Sequence, residues 1–265
     1  MSGFIREFTV FGIKQARACV FAGAFIVVLW FSKFIHIGGL ARYDFILIAA
    51  LIIQAALLLT RIETLAEAVV LTVFHLLGLM LELFKTRPGI QSWSYPEPCI
   101  FKVGAVPLYS GFMYAAIASY MCQSWRIMKL RLTGYPPHWL SIALSAVIYL
   151  NFFTHHYIGD YRWWLTGAVV LVFARTRVHF TVLEKERRMP LVLSFVLIGF
   201  FVWIAENLGT LNGAWLYPHQ KNGWSVVHLG KFSSWSLLVI VTFIIVADLK
   251  HVREGGAAVS RERES

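Results

Sequence analysis

The stretch Phe195-Val196-Leu197-Ile198-Gly199-Phe200-Phe201-Val202-Trp203-Ile204-Ala205-Glu206-Asn207-Leu208, followed by Trp215-Leu216-Tyr217-Pro218, decides how this chain is to be read. An apolar run ends in an acid, and after a short polar gap comes the phrase W-x-Y-P. The same construction occurs earlier. The apolar run 65–84 carries Glu82 near its end and is followed by Trp93-Ser94-Tyr95-Pro96. An ionisable group at the end of an apolar run is costly inside a bilayer and by default marks function. Its duplication points to two related halves that carry two carboxylates to one membrane level.

Composition agrees with a membrane setting. The chain is 58% hydrophobic, its mean hydropathy is +0.66, and only 14% of its residues are charged, against about 25% in soluble domains. Runs of about 20 apolar residues cross a bilayer core. Eight runs approach that length: 18–35, 45–60, 65–84, 104–125, 139–153, 163–180, 191–208 and 232–247. The second and fifth are short, which leaves seven spans and a re-entrant piece as an alternative. The expected fold is therefore an all-α membrane protein of about eight transmembrane helices. These form one domain, 1–252, made of two four-helix repeats of the same orientation, 1–132 and 133–252. A charged tail, 253–265, is expected to be disordered and cytoplasmic. The apolar run after Arg6, Lys14 and Arg17 reads as a first span rather than a cleaved signal.

Basic residues collect in cytoplasmic loops. With both termini inside, sixteen Lys and Arg fall on the inner side and eight on the outer. The net charge of +10 is read as this bias and not as a nucleic-acid footprint. Three scattered cysteines, Cys19, Cys99 and Cys122, suggest no disulfide framework. In this orientation both W-x-Y-P loops lie on the outer side, with His36, His155, His156, His219 and His228, while His75 sits midway along its span.

Several constellations carry chemistry. Glu206 shares a helix face with Trp203 and Asn207 by i, i+3, i+4 spacing, and Asn207 is placed to orient its carboxyl. Glu82 shares a face with His75, seven residues earlier. Glu206 and Glu82 are the candidate proton donor and base, with His155, His75 and Asp160 as proton partners. Trp93, Tyr95, Trp215, Tyr217, Trp203, Asn207 and Asn151 are candidate substrate contacts, since aromatic walls hold apolar chains or a developing cation. The segment Asn151-Phe152-Phe153-Thr154-His155-His156-Tyr157-Ile158-Gly159-Asp160 is the densest polar cluster. His75, His155, His156 and Asp160 are its candidate metal ligands, for a divalent ion such as zinc or iron. Hydrogen-bonded histidines in a polar site are the competing reading.

The chain also resembles a known family. The matching stretches are 11–19 (Phe-Gly-Ile-Lys-Gln-Ala-Arg-Ala-Cys), Arg42-Tyr43-Asp44-Phe45, Phe74-His75-Leu76-Leu77-Gly78 and Trp93-Ser94-Tyr95-Pro96. They continue with Pro107-Leu108-Tyr109-Ser110-Gly111-Phe112-Met113-Tyr114, Asn151-Phe152-Phe153-Thr154-His155-His156 and Trp203-Ile204-Ala205-Glu206-Asn207. These are similar to the bacterial integral-membrane family filed as domain of unknown function 817. The resemblance implies a bacterial inner-membrane location and supplies no activity. A weaker likeness, in motif style only, runs from Glu206 to Tyr217 toward membrane carotenoid cyclases and hydratases, which protonate an isoprenoid double bond with a buried acid. Two functions follow from the sequence. One is an intramembrane enzyme doing acid–base chemistry on a lipid or isoprenoid at the outer membrane level. The other is a small-solute or ion transporter with a polar site between the two repeats. Membrane lipids and a hydrophobic small molecule are the expected partners.

Overall fold

The computed structural model describes the backbone of residues 3–264 and the side chains of residues 3–248. The tail expected to be disordered, 253–265, is described in its backbone alone, as far as residue 264, where α9 continues through it. The described chain runs α1(Gly3–Ala18), α2(Val20–Phe31), α3(Arg42–Leu59), α4(Leu65–Thr86), β1(Lys102–Val103), β2(Val106–Pro107), α5(Ser110–Ile127), β3(Arg131–Thr133), α6(His138–Thr154), α7(Arg162–Val172), β4(Arg177–Val182), β5(Lys185–Pro190), α8(Leu191–Leu211) and α9(Gly230–Glu264).

Four helices are long and apolar enough to cross a membrane: α3, α4, α8 and the part of α9 from Gly230 to Asp248. A fifth span is formed if α1 and α2, bent by 66° at their junction, count as one. Eight apolar runs thus yield four or five spanning helices by length and composition. The run 163–180 is not one span. Its helix α7 has 11 residues, about 16 Å at 1.5 Å per residue, and the chain then turns into β4. The run at 104–125 becomes α5, whose face is almost entirely buried, Ser110, Ser119, Gln123 and Ser124 included. It packs against α1, α2, α4 and α9 as the centre of the bundle.

The fold is also not purely helical. Residues 177–182, Arg-Val-His-Phe-Thr-Val, alternate polar with β-branched or aromatic residues, which suits a half-buried strand. Val178 and Val182 are buried on one face. Leu183, at φ +54°, begins the tight turn to β5, and β3 completes a three-stranded antiparallel sheet. The charged run 184–188 is therefore largely an exposed strand. It holds α1 through an ion pair of Arg187 with Glu7.

Local chemistry sets the ends of the helices that matter most. α4 opens with a capping box, in which Thr64 and Glu67 satisfy each other's backbone N–H. It stops at Arg87, whose extended backbone is imposed by Pro88. α8 ends at Asn212, followed by Gly213 at φ +66°, a common helix stop. Both ends release long loops, 87–109 and 212–229, at the same end of the bundle. The loops meet: Ser94 and Leu216, the x residues of the two W-x-Y-P phrases, exchange backbone hydrogen bonds of 2.9 Å in both directions.

Candidate functional site

The first turn of α3 pins both loops. The buried Asp44 carboxylate accepts from the backbone N–H of Ile100 (2.8 Å) and Phe101 (2.9 Å) in the first loop. Arg42 pairs with Glu97 of that loop and donates to the Asn212 carbonyl (2.8 Å) at the start of the second. Tyr43 donates to the Gly213 carbonyl and Tyr109 to that of Ala214. Arg42-Tyr43-Asp44 is not among the site residues expected from the sequence. Its signal there is three polar groups in succession at the head of an apolar helix.

Held in this way, each loop turns its tyrosine onto the glutamate that precedes it. Glu82 is 1% exposed and accepts three hydrogen bonds, from Trp93 Nε1 (2.6 Å), the Tyr95 hydroxyl (2.7 Å) and the Tyr114 hydroxyl of α5 (2.8 Å). Glu206, 3% exposed, accepts from the Tyr217 hydroxyl and from Trp235 Nε1 of α9. Donors of this kind stabilise a buried carboxylate. The two carboxylates lie within electrostatic range of each other. Their donor sets touch through the Trp93–Tyr217 rings (centroids 6.1 Å apart, nearly perpendicular) and the Tyr114–Trp235 rings (6.2 Å).

Between the two carboxylates stands Lys231, at the start of α9. Its ammonium is 5.1 Å from the Trp93 ring centroid and 4.7 Å from that of Tyr217, inside the range of cation–π attraction. Trp93 and Tyr217 thus each do two things. The polar edge of each ring donates to a glutamate and its face receives the lysine. Among the described residues the Lys231 ammonium has no hydrogen bond and no ion pair within 4 Å, so the two ring faces are its seat. Lys231 and Trp235 come from α9 and Tyr114 from α5, the helices that follow the two phrases, so nothing in either phrase marks them in the sequence.

Other expected site residues take different positions. Trp215 does not reach Glu206. It packs on Gly209, where any Cβ would meet its ring closer than 3 Å, and Trp235 supplies the indole donor instead. Asn207 does not orient the Glu206 carboxyl; its side chain accepts from Val227 N (2.9 Å) and donates to Trp203 O (2.8 Å). Trp203 donates to Val227 O (3.1 Å), so both residues hold the second loop. Asn151 accepts from Tyr161 N (3.3 Å) and positions the α6–α7 turn. His75 lies two helical turns before Glu82, stacks edge-on against Phe112 (4.6 Å), and leaves a buried Nδ1 without a partner.

The metal expectation is not met. Among the described residues no group of three or more His, Cys, Asp or Glu side chains could hold a metal ion. His155 and His156 stack with centroids 3.9 Å apart, and both Nε2 atoms face the Lys85 ammonium, at 3.4 and 2.9 Å. A cation already stands where a metal would bind. Asp160 is taken by Arg162. Burial alone would raise its carboxyl, but the Arg162 backbone N–H and guanidinium hold it below the usual range.

The opposite end of α4 carries a further network. Glu63, 2% exposed, accepts from Gln54 (2.6 Å) and Ser119, and Glu67 pairs with Arg126 at 3.3 Å. α4 thus has buried carboxylates at or beside both ends.

Fold and site define a mostly helical protein with four or five helices able to cross a membrane, and a closed carboxylate–ammonium centre at one end of the bundle. The chain belongs to the family described as protein of unknown function DUF817, whose model matches residues 7–243. It is similar to "Uncharacterized protein YoaT" of Bacillus subtilis (strain 168), at 50% identity over 261 residues covering 98% of each chain. No solved structure matches it.

Proposed function

We propose that the protein is a bacterial inner-membrane carrier of a small cation, in which Glu82 and Glu206 form the exchange site and Lys231 is a tethered counter-ion. One observation carries this reading. The ammonium sits between two buried carboxylates on ring faces contributed one by each W-x-Y-P phrase, with no hydrogen bond to fix it among the described residues. A cation–π seat is worth on the order of 0.5–2 kcal/mol, weak enough to be vacated. A cation or proton that neutralises a glutamate removes the attraction that keeps Lys231 in place, and its departure draws the lysine back. The site is filled by its own side chains, which suits an ion better than a lipid chain. Within this reading the termini are cytoplasmic, the loop end faces outward, and the two loop-and-helix units, α4–α5 and α8–α9, are related by an axis along the membrane normal.

The test is flux. Purified full-length protein in vesicles loaded with a pH-reporting dye should couple an imposed sodium or potassium gradient to internal pH. Glu82→Gln and Glu206→Gln should abolish the coupling. Vesicles that move protons, sodium and potassium no faster than protein-free ones would overturn the proposal.

A second reading keeps the carboxylates as acid and base toward a lipid or isoprenoid. It is favoured by the number of aromatic rings around Glu206 and Glu82, since such rings stabilise a developing cation. It expects a deletion strain to accumulate an unsaturated lipid precursor, restored by the wild-type chain and not by Glu206→Gln.

A further inference from the structure

Lys85, in the last turn of α4, is 4% exposed, yet no carboxylate lies within ion-pair distance of it among the described residues. Its ammonium has three protons to donate. His156 Nε2 at 2.9 Å and His155 Nε2 at 3.4 Å take two of them. The tautomer of His155 is set by its other nitrogen, which lies 2.9 Å from the Asn151 carbonyl. Nδ1 therefore carries the proton and Nε2 presents a lone pair to the lysine. Both imidazoles are neutral near pH 7. Burial pushes His156 down to about 4, with the Lys85 charge adding to it, and burial lowers His155 as well. The third Lys85 proton has no acceptor among the described residues.

The surroundings are cationic. Arg87 and Lys231 lie within electrostatic range of His156, and Lys231 and Arg162 within range of Lys85. Two acids lie within electrostatic range of Lys85, Asp160 and Glu82; Asp160 is paired with Arg162, and Glu82 accepts from Trp93, Tyr95 and Tyr114. Arg162 also donates to the Gly230 carbonyl (2.9 Å) at the head of α9. Along the same rim Tyr157, Ile158, Trp163 and Trp164 are exposed, as aromatic residues are at a membrane–water boundary.

We infer that Lys85, His156 and Arg87 form a binding site for an anionic phosphate group, taken from a lipid headgroup or from free phosphate, with Lys85 as its central donor. The inference is independent of the cation-carrier reading, because it uses neither Glu82 nor Glu206. A phosphate oxygen accepts the free Lys85 proton and a guanidinium proton of Arg87, and the imidazoles fix the lysine rather than compete for its charge.

The experiment is native mass spectrometry of the detergent-purified full chain, titrated in parallel with phosphatidic acid, phosphatidylcholine and inorganic phosphate. Phosphatidic acid should bind at least 10-fold tighter than phosphatidylcholine. Lys85→Gln should lose at least 10-fold of that affinity, Arg87→Gln should lose several-fold, and Lys102→Gln, on exposed β1, should leave it unchanged. Arg87 is exposed, so its variant keeps the test alive if Lys85→Gln does not fold. Binding of both phosphatidic acid and inorganic phosphate assigns the site to the phosphate group itself. Binding of phosphatidic acid alone assigns it to a lipid. Equal affinity for phosphatidic acid and phosphatidylcholine without phosphate binding, or wild-type affinity in both the Lys85 and Arg87 variants, would overturn the inference.

Discussion

Replacing Glu82 with alanine tests the centre most directly. The change leaves three donors, Trp93 Nε1, the Tyr95 hydroxyl and the Tyr114 hydroxyl, around a carboxylate position that is 1% exposed. Each unpaired buried donor costs about 1–3 kcal/mol, so the simple sum is about 3–9 kcal/mol. Two of the three are hydroxyls that rotate toward new partners, and water entering the vacated space satisfies others. The loss should therefore fall near the low end, about 3–5 kcal/mol, as when one partner of a buried charge pair is removed. Glu82→Gln keeps one acceptor oxygen for Trp93 and Tyr95 but turns an amide NH2 toward the Tyr114 hydroxyl, which can rotate to accept from it, so it should cost about 1–3 kcal/mol, less than the alanine change. Glu206→Ala strands two donors rather than three and should rank between these variants. The assay is equilibrium unfolding in mixed micelles on titration with a denaturing detergent, followed by tryptophan fluorescence. A Glu82→Ala variant within about 0.5 kcal/mol of the wild type, the size of an ordinary surface change, would show that the three donors do not depend on this carboxylate. A Gln variant as damaged as the Ala variant would refute the reasoning.

Further outcomes follow from the same geometry. Gly78→Ala places a Cβ closer than 3 Å to the Tyr114 ring; it should lower stability by roughly 1–3 kcal/mol, as overpacking does, while Gly167→Ala, with open space around it, should not, and equal melting points would contradict the α4–α5 contact. His156, pushed down to about 4 by partial desolvation together with the Lys85 charge beside it, binds fewer protons folded than unfolded between that value and its ordinary 6.5, so it should erode stability as pH falls through this window; thermal unfolding against pH should be flatter for His156→Gln, and parallel curves would remove its role. Reporter fusions after residue 253 should report cytoplasm and those after Gln220 the outer side; the reverse pattern would invert the carrier's orientation.

Much of the centre is legible in the order of residues alone. Trp93 and Tyr95 lie 11 and 13 residues beyond Glu82, and Tyr217 lies 11 beyond Glu206. A loop that short, released by Pro88 or Gly213, must fold back over the helix end it leaves. Which ring of each phrase turns inward is not legible in this way. Trp93 donates to Glu82, but Trp215 packs its six-membered ring against Gly209, because a bare glycine surface accepts a large ring, and Trp235 takes the donor position.

The order of residues alone shows helices apolar enough to cross a membrane, how α4 and α8 end, and that two acids close two apolar helices before matching aromatic phrases. These are local properties: side-chain transfer energies, capping groups and proline geometry act within a few residues. Only the tertiary structure decided which runs become helices long enough to cross a membrane and which become the short α7 or the β4–β5 hairpin. It also decided that Lys231 sits between the two acids, and that the Lys85 ammonium faces the histidine pair. Those outcomes depend on how separate helices pack, and packing brings together residues whose chemistry is mute until they share a space.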